Sequence, residues 1–162
     1  MDISQELALK LIAEDKIYYD SEINIPFLVP KNNLTASGKS GVIYNVDVAK
    51  NRFFLKKLTF QHRVYSYVPL IRIDLDTKTH RNPDGELICG NHIHIYKEGA
   101  GMSWAYPLDA DIVKSLNSSV SLLNMIVAEN ELDKFRLFNK FCHFINEPKL
   151  NRDISLSLFN IN

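Results

Sequence analysis

Two short runs of the chain share one grammar. In Leu70 to Asp76, Ile71, Ile73 and Leu75 alternate with Arg72, Asp74 and Asp76. In His92 to Lys97, Ile93 and Ile95 alternate with His92, His94 and Tyr96. Side chains point alternately to the two faces of a β-strand, so each run reads as a strand with one apolar and one polar side. Two such strands joined by a polar connection pair so that both apolar faces meet the core. Their polar faces then coincide. The pattern predicts one surface carrying Arg72, Asp74, His92, His94 and Tyr96. The connection holds Asn82-Pro83-Asp84-Gly85. Asn bonds back to the turn, Pro presets φ and Gly accepts positive φ, so this is a β-turn. His80 and Arg81 stand just before it.

The rest of the chain predicts an α+β domain. Its sheet is an antiparallel meander, flanked by an N-terminal helix and one or two C-terminal helices. Ser4 to Ala13 reads as a helix capped by Ser4, with Leu7, Leu11 and Ile12 at helical spacing. Ile23 to Val29 reads as a short strand that Pro26 confines to an edge. Pro30 to Ser40, rich in Asn, Ser, Gly and Lys, reads as a loop. Val42 to Val48, Arg52 to Phe60 and Val64 to Leu75 read as strands, with a tight hairpin at Lys50-Asn51 between the first two. Trp104 to Leu108 reads as a further short strand. Ala110 to Ala128 suits one or two short helices. Glu131 to Ile145 carries a core-facing stripe of Leu132, Phe135, Phe138, Phe141, Cys142 and Ile145, and Pro148 ends it. Ile154 to Leu158 alternates like a final strand or a docked tail. No repeat or linker marks a second domain, so residues 1–162 read as one unit.

Composition narrows the partners. Lys+Arg and Asp+Glu both number 19, so the formal charge is zero. A protein that lives by non-specific phosphate binding is usually strongly basic, so any nucleic-acid contact must come from a local patch. One candidate exists. From Val48 to Ile73 there is no acidic residue, and the basic residues there, Arg63, Lys56 and Lys57 among them, are interleaved with Phe53, Phe54, Phe60, Tyr65 and Tyr67. Such a run suits single-stranded nucleic acid through phosphate contacts and stacking. The plainer reading is of aromatics alternating into a core beneath solvated lysines. Trp104 is the only tryptophan, and reads either as a core residue or as a stacking platform. Cys89 and Cys142 fit no metal or redox spacing and read as buried free thiols of a reducing compartment. With no basic leader and no long apolar run, the expectation is a cytoplasmic protein without a membrane span.

The shared polar face admits three chemistries. His92 and His94 point the same way and can hold a divalent ion, with His80, Asp84 or Asp74 as third ligand. Without metal, His92 and His94 can act as base and acid on RNA, with Arg72 for the phosphate and the Tyr96 hydroxyl beside them. Or the face is a solvated surface held by cross-strand pairs. Two familiar motifs are absent. Gly38-Lys39-Ser40 lacks the upstream Gly of a phosphate loop, since residue 33 is Asn. No nucleophile-elbow context exists for a Ser-His-Asp triad.

The runs His80 to Glu86, His92 to Gly99 and Trp104 to Leu108, with Arg72 to Leu75 before them, resemble a small bacterial family of unknown function. Lys57-x-Thr59-Phe60-Gln61-x-Arg63 resembles that family's preceding strand, and Phe138 to Pro148 its closing helix. The resemblance implies a single-domain protein of prophages and other mobile regions, with no established activity. It marks Arg63, Arg72, Asp74, His80, Asn82, Asp84, His92, His94, Tyr96 and Trp104 as positions to test. Two functions follow as expectations. One is a nuclease-like or toxin-like protein acting on RNA. The other is a non-enzymatic interaction protein, such as a toxin regulator or an inhibitor of a CRISPR-type defence complex. A cleft that gathers His92, His94 and a third ligand or Arg72 favours the enzyme, whereas outward-facing residues without concavity favour the binder.

Overall fold

The computed structural model describes residues 2–19, 21–24, 31–51, 57–76 and 78–151. Helix α1 (Gln5–Ala13) starts where the Ser4 hydroxyl accepts the Leu7 N–H at 3.2 Å, the expected cap. Among the described residues, seven strands form one sheet. Their spatial order is β1 (Lys16–Tyr18), β3 (Lys31–Gly38), β4 (Ile43–Lys50), β5 (Leu58–Val64), β6 (Val68–Leu75), β9 (His92–Ile95) and β10 (Ala105–Pro107). Every neighbouring pair in it is antiparallel. Outside it, β2 (Glu22–Asn24) pairs in parallel with β11 (Lys149–Asn151), and β7 (His80–Arg81) pairs with β8 (Leu87–Ile88) as a small hairpin. Helices α2 (Asp111–Leu116), α3 (Asn124–Val127) and α4 (Glu131–Phe141) follow the main sheet. The domain is α+β, as expected, and the β3-to-β6 meander is its backbone.

Register defines the two faces of this sheet. Val48, Phe60, Ile73 and Ile93 lie side by side across four strands, as do Val46, His62, Ile71 and Ile95. Both rows are buried. Helices α1 and α4 cover them. Phe60 stacks on Phe138 with ring centroids 5.3 Å apart, and the Tyr44 hydroxyl donates to Leu11 O at 3.0 Å. Burying a side chain such as Phe60 or Phe138 stabilises by roughly 2–3 kcal/mol, so this face supplies most of the driving force. One member of the row is costly. His62 is fully buried, and neither ring nitrogen meets a hydrogen-bond partner among the described residues. Burial pushes its pKa well down, so the ring stays neutral between aromatic neighbours.

Lys16 joins the helices to the sheet edge. Its side chain is fully buried, and its ammonium donates to Ile12 O, Glu14 O and Cys142 O at 2.9, 2.8 and 2.9 Å. Three N–H donors thus meet three carbonyls at the ends of α1 and α4. Burial lowers its pKa to about 8, which still leaves it charged at neutral pH.

Several boundaries differ from the sequence expectation, each for a local reason. The loop expected at Pro30 to Ser40 is strand β3 from Lys31. Leu34 and Ala36 are buried between polar neighbours, an alternation hidden by the Asn- and Ser-rich composition. The tight hairpin at Lys50-Asn51 is instead a longer connection, because β4 runs through Lys50 and pairs it with Leu58; Asn51 N–H then donates to Lys57 O at 3.0 Å. The single strand expected from Val64 to Leu75 is two pieces. Tyr65 and Ser66 take φ of 50° and 63°, and the chain reverses between β5 and β6. Helix α4 stops at Phe141 rather than near Pro148, because His143 at φ 61° turns the chain so that Phe144 bridges to Lys16. Cys89 is exposed rather than buried, whereas Cys142 is buried. The expected strand residues 25–29 and 52–56, and the alternating 154–158, lie outside the described residues. No helix among the described residues is long and apolar enough to cross a membrane.

Replacing Lys16 with Met leaves three carbonyls, two of them in buried contacts, without their donor. The expected loss is about 3 kcal/mol in urea unfolding. A loss under about 1 kcal/mol shows that the ammonium does not hold the two helix ends.

Candidate active site

The pairing of β6 with β9 sets Arg72 opposite His94 and Asp74 opposite His92. This is the coincidence of polar faces that the alternation predicts. The face is not a solvated surface, however. His94 is fully buried, and His92 and Asp74 are 3% and 7% exposed. The cover comes from the β6–β9 connection and from the loop after β9. The β7–β8 hairpin folds over the sheet and brings His80 against the pair. The His80 and His94 rings meet edge-on at 4.7 Å, and His92 lies 5.0 Å from His94.

The turn at Asn82 places that hairpin. Gly85, at φ 93°, donates its N–H to Asn82 O at 2.9 Å, so the expected β-turn forms. The buried Asn82 side chain then clasps β10 from both sides. Its Nδ2 donates to Ala105 O at 3.0 Å, and its Oδ1 accepts from Ala105 N–H at 2.8 Å. One amide thus imitates a strand neighbour and pins the hairpin to the loop that ends at β10.

Each of the three histidines is tied by one ring nitrogen to a backbone carbonyl. His80 Nε2 meets Ser103 O at 3.0 Å, His92 Nδ1 meets Gly90 O at 2.7 Å, and His94 Nδ1 meets Met102 O at 2.8 Å. A carbonyl only accepts, so these nitrogens carry the proton and the other nitrogen of each neutral ring keeps a lone pair. Gly90 takes φ 72°, which turns its carbonyl back onto His92 two residues later. One ring nitrogen from each of His80, His92 and His94 lies within 4.8 Å of the others.

Asp74 and Arg72 complete the cluster. Asp74 Oδ2 lies 3.6 Å from His92 Nε2 and 3.5 Å from His94 Nε2. It also accepts from Arg72 Nε at 2.8 Å, while Oδ1 accepts the Thr59 hydroxyl at 2.7 Å. Arg72 Nη2 donates to His94 Nε2 at 2.7 Å. Since arginine has no acceptor, the His94 ring is neutral in this arrangement. Burial alone raises the Asp74 carboxyl, but the Thr59 hydroxyl and the Arg72 guanidinium, both donating to it, outweigh burial and hold the group below its ordinary value, at about 2. Burial is also the main cause that pushes His92 below its usual range. The cluster opens on a depression of about 360 Å³ lined by Thr59, Arg72, Asp74, Lys78, Thr79, His80 and His92.

The structure therefore brings together Arg72, Asp74, His80, His92 and His94, and leaves the other candidate residues elsewhere. Tyr96 follows the last residue of β9, so the alternation no longer applies to it. It turns into the core under α1, where its hydroxyl accepts from Ile3 N–H at 3.0 Å and donates to Ile3 O at 2.9 Å. Asp84 caps the exposed turn by accepting the Glu86 N–H, away from the histidines. Arg63 is paired with Asp47 at 2.9 Å. Lys57 sits half-buried just before β5, Lys56 lies outside the described residues, and Trp104 lies beneath the Lys97 ammonium at 4.4 Å. None of the described ones lines the depression. Lys50, in the same basic run, is salt-bridged to Glu131. Sequence reasoning missed Thr59, Lys78 and the carbonyls of Gly90, Met102 and Ser103. Thr59 was legible in principle, since it stands on the polar face of an alternating strand.

Two measurements test this construction. The Asp74 carboxyl sits below its ordinary value of 3.8, so its contribution is complete above about pH 4 and is lost as pH falls toward 2. That contribution is about 2 kcal/mol. Urea unfolding across this range is expected to show a difference between wild type and Asp74→Asn that shrinks as acidity rises; a constant difference contradicts the buried ion pair. Asn82→Ala is expected to cost about 2 kcal/mol and to speed amide exchange at Ala105. Unchanged exchange there contradicts the clasp.

No curated protein and no solved structure matches the chain. A family model described as a family of unknown function (DUF6978) matches residues 3–146, which takes in the meander, all three histidines and α4. The chain belongs to that family.

Proposed function

We propose that this domain is a divalent-metal-dependent hydrolase that cleaves phosphodiester bonds, with RNA as its substrate class. The observation that carries this reading is the three-histidine cluster, with each ring held by a backbone carbonyl through one nitrogen. Metal-binding histidines almost always donate their other ring N–H to such a partner. Neutral imidazoles with a carboxylate beside them suit zinc or a similar transition ion better than calcium or magnesium. His80, His92 and His94 would hold the ion, and an ion so held lowers the pKa of a bound water.

The chain's own residues supply the rest. Asp74 is ionised at neutral pH and stands 3.5–3.6 Å from two of the ring nitrogens, placed to orient a water and accept its proton. Thr59 fixes that carboxylate through its hydroxyl. Arg72 and Lys78 at the depression supply positive charge for phosphate oxygens. The concavity itself favours catalysis over a flat binding face. The metal-free alternative has less support. A general acid needs a protonated ring, whereas His94 accepts from Arg72 and burial disfavours the charged form of His92. A toxin-like role in a mobile region would follow from cleavage of host RNA.

Zinc or manganese titrated into chelator-treated protein is expected to bind with one-to-one stoichiometry, and His94→Ala to weaken that binding at least a hundredfold. Mixed RNA is expected to be cut by the metal-loaded protein and spared in the presence of chelator. Cutting that survives both chelator and His94→Ala sinks the metal reading, and no cutting under any metal sinks the RNA assignment.

A further inference from the structure

We propose that Arg72 couples metal and substrate binding: an ion at the histidine cluster takes the His94 nitrogen that Arg72 holds, and the released guanidinium N–H turns to a substrate phosphate. The proposal rests on reading the histidine cluster as a metal centre. An imidazole nitrogen has a single in-plane lone pair. Arg72 Nη2 donates into that of His94 Nε2 at 2.7 Å, while Nδ1 of the same ring is committed to Met102 O at 2.8 Å. His94 therefore has no second nitrogen to offer, and an ion and Arg72 compete for one site.

Displacement does not cast Arg72 loose. Its Nε remains on Asp74 Oδ2 at 2.8 Å, and Asp74 is in turn held by Thr59 at 2.7 Å. The guanidinium can pivot about the Asp74 contact. Its side chain is 34% exposed, against 10% for Asp74 and none for His94, so it is the least enclosed member of the trio. It pivots toward the depression that it already lines with Lys78. There a phosphate oxygen accepts the N–H that His94 no longer can, and a charge-assisted bond replaces a neutral acceptor. Metal and phosphodiester then bind with positive cooperativity, and reciprocity requires each to tighten the other by the same factor.

Calorimetry with zinc, with and without a deoxydinucleotide that lacks the 2′-hydroxyl, tests the coupling on wild type, Arg72→Ala and Lys78→Ala. In wild type the dinucleotide is expected to tighten zinc about tenfold. Arg72→Ala is expected to bind zinc more tightly than wild type when no dinucleotide is present, and to lose the coupling. Lys78→Ala, which removes a cation without touching His94, is expected to weaken the dinucleotide while leaving zinc alone unchanged. Equal or weaker zinc binding by Arg72→Ala, or coupling that survives in it, overturns the role of Arg72 and leaves the metal centre standing. Zinc binding by none of the three proteins overturns the metal centre and this proposal together.

Discussion

Everything at the candidate site depends on how one strand is registered against another. β6 and β9 pair Arg72 with His94 and Asp74 with His92, and on the reverse side Ile71 with Ile95 and Ile73 with Ile93. The side-chain period of a strand is two, so a slip of one residue would carry both histidines into the core and expose both isoleucines. Burial of the apolar rows beneath α1 and α4 opposes that slip. The same hydrophobic term that folds the sheet therefore aligns the polar groups on its far side, with no polar interaction needed to choose the register.

The polar face is dry because the chain folds back over it. A sheet face bearing two histidines, an arginine and an aspartate would ordinarily be left in water, where its pairs contribute little. Here the β7–β8 hairpin and the segment from Lys97 to Trp104 cover it, and Asn82 fastens the two covers to each other through Ala105. Burying so many polar groups is tolerable because nearly every one has a partner: carbonyls for the rings, and Thr59 and Arg72 for the carboxylate. By contrast, the fully buried His62 on the other face has none among the described residues, and its surroundings of Tyr44, Phe138 and Phe144 keep it uncharged.

The sequence made the central strands legible because their alternation is strict, and the turn at Asn82 to Gly85 because its composition is unambiguous. It made β3 illegible, since Asn and Ser outnumber the two residues, Leu34 and Ala36, that face inward. The reversal at Tyr65 and Ser66 left no sign because aromatic and hydroxyl residues are ordinary in strands, and positive φ is not written in them. Tyr96 misled for a geometric reason: alternation assigns faces only while a strand continues. Two cations of the basic run are paired with acids that lie outside it, which the run alone does not show. Asp47 comes just before the run and Glu131 about eighty residues after Lys50. His80 was visible as a residue to watch, but its arrival beside His94 depends on long-range contacts to Ser103 and Ala105 that no local pattern encodes.

The loop between β9 and β10 acts on the site through its main chain. Met102 and Ser103 offer carbonyl oxygens to His94 and His80, and the Lys97–Gly101 bridge sets where those oxygens point. The side chains there serve the loop itself, with Met102 packed against the core and Ser103 Oγ donating to Ala100 O at 2.7 Å, whereas the number of residues between Lys97 and Ala105 sets where the two carbonyls fall. Removing one residue there would rotate both carbonyls off the rings, freeing the His80 imidazole to change its tautomer and leaving that of His94 to Arg72 alone. The segment behaves as a ruler, and what it measures out is the position of two protons.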